Sequence, residues 1–343
     1  MTMPVIQRVG VIGSGAWGTA LAQTFASRGL DVTLWSLEQH VTDEINTAHT
    51  NQVFLPDVVL HENVTGTSDL KKAFQQDLIV LVVPTQYVSD TLQKVAGSIS
   101  EKTPVLIASK GIEISTGRLV SHIVSGVLPN NPVGVITGPS FAIEVARNLP
   151  AALTVAMNAQ HRDLAFYLCD TLSTPHFRLY AGEDMIGAQI GGAVKNVIAI
   201  ACGIAYGKQV GDNAHAALLT RGLAEMVRLG QEMGADPSTF LGLSGVGDLT
   251  LTCHAMQSRN FSLGVAIGQG RRASDILAER QSVAEGYYTA EAIVKLAMKL
   301  NIDMPICTAV YETLHKEKAI DYVIKGLLER PRRSETITLG AQS

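Results

Sequence analysis

Between Met185 and Tyr206 the chain reads MIGAQIGGAVKNVIAIACGIAY, twenty-two residues whose one formal charge is Lys195. A segment this apolar is stable only where nearly every side is covered, as the central helix of a helical unit or as a membrane span. The span is disfavoured, because Lys195, Asn196, Gln189 and four glycines interrupt the run, and a single central lysine costs roughly 2.5–3.5 kcal/mol on insertion scales. As a core helix it carries an ammonium into an apolar interior. Lost hydration there favours the neutral amine and draws the group toward proton exchange near neutral pH. Two structural readings compete: Lys195 paired with a buried carboxylate, and a lysine whose head snorkels to solvent.

At 343 residues the chain exceeds the usual size of one hydrophobic core, and its 46% apolar content is ample for two. Twenty-seven Lys and Arg stand against 31 Asp and Glu, a net charge of −4 with no long cationic run, which disfavours nucleic acid as a partner. Cys169, Cys202, Cys253 and Cys307 are scattered and form no CxxC or Cys/His cluster. They suit a reducing compartment and predict no metal site. The start MTMPVIQRVGVIG runs into a strand without the apolar helix and small-residue cleavage site of a secretory signal. A cytoplasmic protein without membrane insertion is expected, and its apolar helical half makes a homodimer plausible.

From residue 6 to about 180, β-branched runs alternate with helical stretches, the pattern of a parallel sheet covered by crossover helices. Strands are predicted at Arg8–Ile12, Asp31–Trp35, Leu78–Val83, Val105–Ala108, Val133–Thr137, Ala152–Ala156 and Phe177–Tyr180. Residues 1–184 therefore read as a Rossmann-like, doubly wound α/β domain. Its first turn is Gly13-Ser14-Gly15-Ala16-Trp17-Gly18, between the strand VGVI and a helix. In that context the glycines predict a dinucleotide site: Gly13 for the tight turn, Gly15 for backbone approach to a pyrophosphate, Gly18 for close helix–strand packing.

Selective NAD sites place an acid at the end of the second strand, about twenty residues past the glycines. Here DVTLW is followed by Ser36-Leu37-Glu38. Glu38 reads as too late to serve, and with Arg28 in the vicinity a site accepting NADP as well as NAD is expected. Beyond the carboxyl ends of later strands, Ser109-Lys110-Gly111 offers a cation, and Gly138-Pro139-Ser140-Phe141-Ala142 offers N–H and O–H donors at a helix start.

After Asp184, a plausible helix cap, strand patterns disappear, and residues 185–343 read as an all-α C-terminal domain. Helical period marks His215–Met233, with Leu219, Leu223, Met226, Val227 and Met233 near one face and Arg221, Glu225, Arg228 and Glu232 on another. It also marks Ala290–Leu300 and Val310–Leu328. The Lys195 helix is expected to be the spine of this domain. Two clusters interrupt the helices: Gly245-Val246-Gly247-Asp248, a carboxylate on a glycine-flexed turn suited to an ammonium or a hydroxyl, and Ser258-Arg259-Asn260, suited to a phosphate or carboxylate.

The ordered set GSGAWG, SKG, GPSFA, GGAVKN, GVGDL and SRN closely resembles the bacterial NAD(P)-dependent glycerol-3-phosphate dehydrogenase family over residues 5 to 330. The resemblance implies interconversion of sn-glycerol 3-phosphate and dihydroxyacetone phosphate with NAD or NADP, supplying glycerol 3-phosphate for phospholipid synthesis. It assigns Lys195 as proton acceptor and Lys110, Gly138, Ser140, Lys195, Asp248, Ser258, Arg259 and Asn260 to substrate. To cofactor it assigns the turn Gly13, Ser14, Gly15, Ala16, Trp17 and Gly18 with Lys110, Ala142, Arg259, Val283 and Glu285. Ala16 departs from a serine frequent in the family, and Leu37 from a polar or basic residue. In oxidation Lys195 would take the C2 hydroxyl proton as hydride leaves for the nicotinamide. Two alternatives stand beside this reading: a β-hydroxyacid or 6-phosphogluconate type dehydrogenase, disfavoured by Ala199 four residues after the lysine, and a nonenzymatic NAD(P)-binding redox sensor.

Overall fold

The structure is a computed structural model that describes residues 4–279 and 284–332. The chain divides into two compact units: one runs to Lys110 and resumes over Arg118–Gln189, and the other comprises Gly111–Gly117 and the chain from Ile190 onward.

In the first unit, β1 (Arg8–Ile12), β2 (Asp31–Trp35), β3 (Val64–Thr67), β4 (Leu78–Leu81), β5 (Val105–Ile107), β6 (Val133–Thr137), β7 (Ala151–Met157) and β8 (Phe177–Gly182) form one sheet in the order β3-β2-β1-β4-β5-β6-β7-β8. Alternation along the strands feeds two cores. Val9, Val11, Leu78, Val80 and Leu106 join Phe25 and Ala22 in one, while Ile12, Ile79, Leu81, Val105 and Ile107 join Leu92 and Ile123 in the other. Strands buried on both faces read as continuous apolar runs, which is why β1, β4, β5 and β6 were legible.

Two features differ from expectation. β3 is the polar, glycine-containing VTGT, recognisable only by its pairing with β2 through Val32↔Val64. β7 runs antiparallel to β6, with Val135 opposite Ala156. The connection between them holds only the five-residue helix Ala142–Ala146, about 7.5 Å long. That is too short to carry the chain back along a strand, as a parallel crossover requires.

The helix Met185–Gly207 starts in the first unit. Asp184 caps it by accepting from the Gly187 N–H at 2.8 Å. Gln189 accepts from the Ser121 backbone N–H and donates to the Ser121 hydroxyl, both at 2.9 Å. From Ile190 it is the spine of the second unit. A Cβ added at Gly191 would lie 2.0 Å from the Ser244 carbonyl oxygen, and one at Gly203 would lie 2.1 Å from that of Phe261, so glycine lets both neighbours reach its backbone. The window has a mean hydropathy of 1.4 and is 89% buried within the chain.

The other helices of the second unit are Asp212–Glu232, Asp248–His254, Arg259–Gly268, Ala273–Glu279, Glu285–Leu300, Pro305–His315 and Ile320–Leu328. The helix expected over Val310–Leu328 is two helices. The break falls at the charged run Lys316–Lys318, where Glu317 takes φ +50° and no apolar side chain is present to bury.

Glu225 also differs from its expected place on a polar face, being 2% exposed. Its carboxylate accepts from the Ile306 and Cys307 N–H groups at 2.6 and 3.1 Å, capping the helix that begins at Pro305. Burial pushes this carboxyl from 4.5 up to about 7, against the opposing pull of the two N–H donors. The folded state thus holds a proton between about pH 4.5 and about 7 that the unfolded chain has lost. This stabilising contribution is complete below that window and is lost as pH rises through it, a change of roughly 3 kcal/mol. Chemical denaturation of the parent and of Glu225→Gln at pH 5 and pH 8 should show a steeper loss with rising pH in the parent; parallel profiles would refute the buried proton.

Candidate active site

The candidate site residues fall into two groups, one within each unit, and each is described by itself. In the first, Gly13 turns the chain at φ +121° and donates its N–H to the Trp35 carbonyl at 3.2 Å, tying the turn to the end of β2. A Cβ on Gly18 would lie 1.9 Å from the Gly13 oxygen, whereas one on Gly15 would meet nothing within 4 Å. Close packing on one side and open space on the other fit the approach of a pyrophosphate. The helix Ala16–Ser27 follows with no side-chain cap, leaving its first N–H groups directed at that space. Trp17 Nε1 is buried without a partner. Ala16, Trp17 and Ala142 all pack on the same core.

Lys110 and the residues after β6 meet. Lys110 Nζ donates to the Gly138 carbonyl at 3.5 Å, and the Ser140 hydroxyl donates to the same oxygen at 3.1 Å. Gly138 permits this at φ +152°. The glycine turn, Lys110 and Ser140 follow β1, β5 and β6, so all stand beyond the carboxyl edge of parallel strands, where open α/β sheets gather ligands.

In the helical unit, Lys195 and Asp248 are 6% and 0% exposed and form an ion pair through Nζ and Oδ1. Lys195 Nζ also donates to Thr252 Oγ1 at 3.0 Å, and that hydroxyl donates to the Asp248 backbone carbonyl at 2.6 Å. A kinked turn, Leu243–Gly247, with Gly245 at φ −109° and ψ −105°, precedes Asp248, pressed onto the spine at Gly191. Asp248 and Thr252 are one helical turn apart, so both side chains reach the same amine. Of the two structural readings of Lys195, the snorkelling one is excluded by this burial. The carboxylate pairing is present, in the group proposed for the chemistry.

Ser258 accepts from the Phe261 N–H at 3.2 Å and so caps the helix carrying Arg259 and Asn260. Burial lowers the Arg259 guanidinium below its ordinary value, with Glu285 opposing. Asn260 donates to Asn196 Oδ1 and accepts from the Gly286 N–H, both at 2.9 Å, joining the spine to the start of the helix Glu285–Leu300. Val283 lies outside the described residues.

Sequence reasoning missed Thr252, although its i+4 spacing from Asp248 was a usable signal. It also missed the bridging role of Asn196, for which no local signal exists. Cys202 and Cys253, far apart in sequence, share a hydrogen bond that raises the Cys253 thiol well above its ordinary value, with burial adding to it. All four cysteines are buried and free. Arg28, expected near the cofactor, stands at the far end of the helix Ala16–Ser27, about 18 Å along the axis from the glycine turn.

Comparison with known proteins places these groups in one lineage. Residues 8–163 match a family model for the NAD-dependent glycerol-3-phosphate dehydrogenase N-terminus, and residues 184–325 match that for its C-terminus. A Parvibaculum lavamentivorans protein named glycerol-3-phosphate dehydrogenase [NAD(P)+] is 46% identical over 330 residues, covering 96% of this chain and 98% of that one. A Rhodospirillum rubrum protein of the same name is 48% identical over 332 residues, covering 96% and 95%. The crystal structure of glycerol-3-phosphate dehydrogenase from Coxiella burnetii superposes with a TM-score of 0.91 at 37% identity, covering 95% of this chain and 99% of that one. Neither alternative reading draws support from these matches. The chain belongs to the NAD-dependent glycerol-3-phosphate dehydrogenase family.

Proposed function

We propose that this protein interconverts sn-glycerol 3-phosphate and dihydroxyacetone phosphate with a nicotinamide dinucleotide. It works as a cytoplasmic homodimer without membrane insertion, supplying glycerol 3-phosphate for phospholipid synthesis. In this reading residues 1–184 hold the dinucleotide and residues 185–343 hold the substrate and the proton-transfer group. The observation that carries it is the buried Lys195 amine bonded to Asp248 and Thr252.

The bound dinucleotide supplies the acceptor for the hydride that leaves C2. Lys195 Nζ takes the C2 hydroxyl proton in oxidation and returns it to the ketone oxygen in reduction, so each direction is balanced by one proton at one nitrogen. Asp248 offsets the charge that appears on the amine. The Thr252 hydroxyl, its own proton committed to the Asp248 carbonyl, presents a lone pair to Nζ and fixes the direction of the amine. Arg259 is the proposed grip on the phosphate, converting remote binding energy into alignment of C2; Ser258 and Asn260, and Lys110, Gly138 and Ser140 of the first unit, are assigned to substrate. Glu285 is assigned to the cofactor.

Absorbance of NADH and NADPH with dihydroxyacetone phosphate, against unphosphorylated dihydroxyacetone, tests the substrate: oxidation should require the phosphate, and equal rates would remove Arg259 from its role. Lys195→Ala should lower kcat by about 10²–10⁴-fold while NADH still binds; near-normal turnover would refute the proton-transfer assignment. Arg259→Ala should raise KM for the phosphorylated substrate by roughly 10²-fold, with the loss of kcat the smaller effect.

A further inference from the structure

Residues 255–258 connect the helix that carries Asp248 and Thr252 to the helix that begins at Arg259. Within them the Ser258 N–H donates to the Ala255 carbonyl at 2.9 Å. The side chains at the two ends of this connection meet on a third helix. His254, the last residue before it, holds its ring centroid 4.4 Å from that of His215, at an interplanar angle of 50°. Phe261, just after it, stands 6.2 Å from the same His215 ring in an edge contact at 65°. Phe261 is 2% exposed and packs on Tyr206 at 5.6 Å, and its carbonyl lies against Gly203 of the spine. His215 comes from the first turn of Asp212–Glu232. One imidazole therefore spans the connection, with His254 on one side and Phe261 on the other.

The surroundings of that ring admit it only as a neutral group. His254 Nδ1 lies 2.9 Å from the Thr250 carbonyl, which only accepts, so Nδ1 carries the hydrogen. His215 Nε2 is buried with no partner: it has no acceptor for a proton, and a charged ring there would lose its hydration. Burial first, and then the neighbouring His254, lower His215 below its ordinary value of 6.5, with Asp212, three residues before it, opposing. Of the other elements packed here, the spine presents Tyr206, through Phe261, and the helix at Arg259 presents the uncharged Phe261. His215 is thus an uncharged aromatic strut at pH 7, and on acidification it acquires both a charge and a need for water.

We infer that His215 is a positioning residue for Arg259: as a neutral ring between His254 and Phe261 it fixes the connection 255–258 and the backbone at Arg259, and as a protonated ring it releases them. The path is short. The Phe261 N–H is the group that Ser258 Oγ accepts from, so a displaced Phe261 loosens the cap of the helix on which Arg259 stands. Lys195, Asp248 and Thr252 keep bonds of their own, so the effect falls on substrate affinity and not on proton transfer. The inference rests on the phosphate role of Arg259 in the proposed function and adds the group that holds Arg259 in place.

The test is KM for dihydroxyacetone phosphate, and kcat at saturating NADH, from pH 7.5 to pH 5.5 with the full chain. Toward acid, KM of the parent should climb about tenfold more than that of His215→Phe, the scale of one lost aromatic contact. The variant keeps a ring and takes no proton, the ionisation of the substrate is common to both proteins, and kcat should follow one curve in the two. His254→Ala, at an exposed position, withdraws the other ring and should raise KM at pH 7.5 by a similar factor with kcat nearly unchanged. Melting and NADH binding establish that each variant is folded, and His254→Ala carries the test alone if His215→Phe is not. Parallel KM profiles in the parent and His215→Phe, an unchanged KM in His254→Ala, or a fall in kcat in place of a rise in KM overturns the assignment of His215. If the parent has the same KM for unphosphorylated dihydroxyacetone, the phosphate role of Arg259 itself fails and this inference falls with it.

Discussion

An ammonium in the middle of an apolar helix is the constraint around which the helical unit is arranged. Burying an unpaired charge costs several kcal/mol, and removing one partner from a buried pair typically costs about 3–5 kcal/mol. Asp248 therefore has to be present at Lys195, and the chain spends unusual backbone to place it there. A kinked turn over Leu243–Gly247 meets the spine at Gly191, where any side chain would collide with Ser244. Thr252 then follows one helical turn after Asp248, because that is the spacing that returns a side chain to the same amine.

The residues around Arg259 share a second economy. Ser258 is a helix cap and Asn260 a bridge between helices, so the backbone on either side of Arg259 is fixed by folding. A binding side chain on such a segment would have its ordering cost met beforehand. The sheet works similarly. The Gly13 turn is tied to β2, and Lys110 and Ser140 converge on one carbonyl, that of Gly138, so the carboxyl edge is set by backbone and short side chains.

Much of this was legible in the sequence, and for definite reasons. Strands buried on both faces announce themselves as apolar runs; the glycine turn has a fixed spacing, and a lone lysine in an apolar helix stands out in any reading. What was missed shares one cause. β3 has no apolar run and is a strand only because β2 offers it partners. The direction of β7 follows from the length of its connection. Glu225, assigned to a polar face by helical period, is buried because another helix begins against it.

The sequence by itself determined the α/β-then-helical architecture, the glycine turn and which residues are candidates for the chemistry, because each depends on local spacing or on the solvation of a single segment. Only the tertiary structure decided which carboxylate meets Lys195, that Thr252 bonds the same amine, and that Asn260 bridges to Asn196. Those are meetings of residues distant in the chain, or of side chains whose direction depends on a neighbour's hydrogen bond, and their energies exist only once the elements have packed.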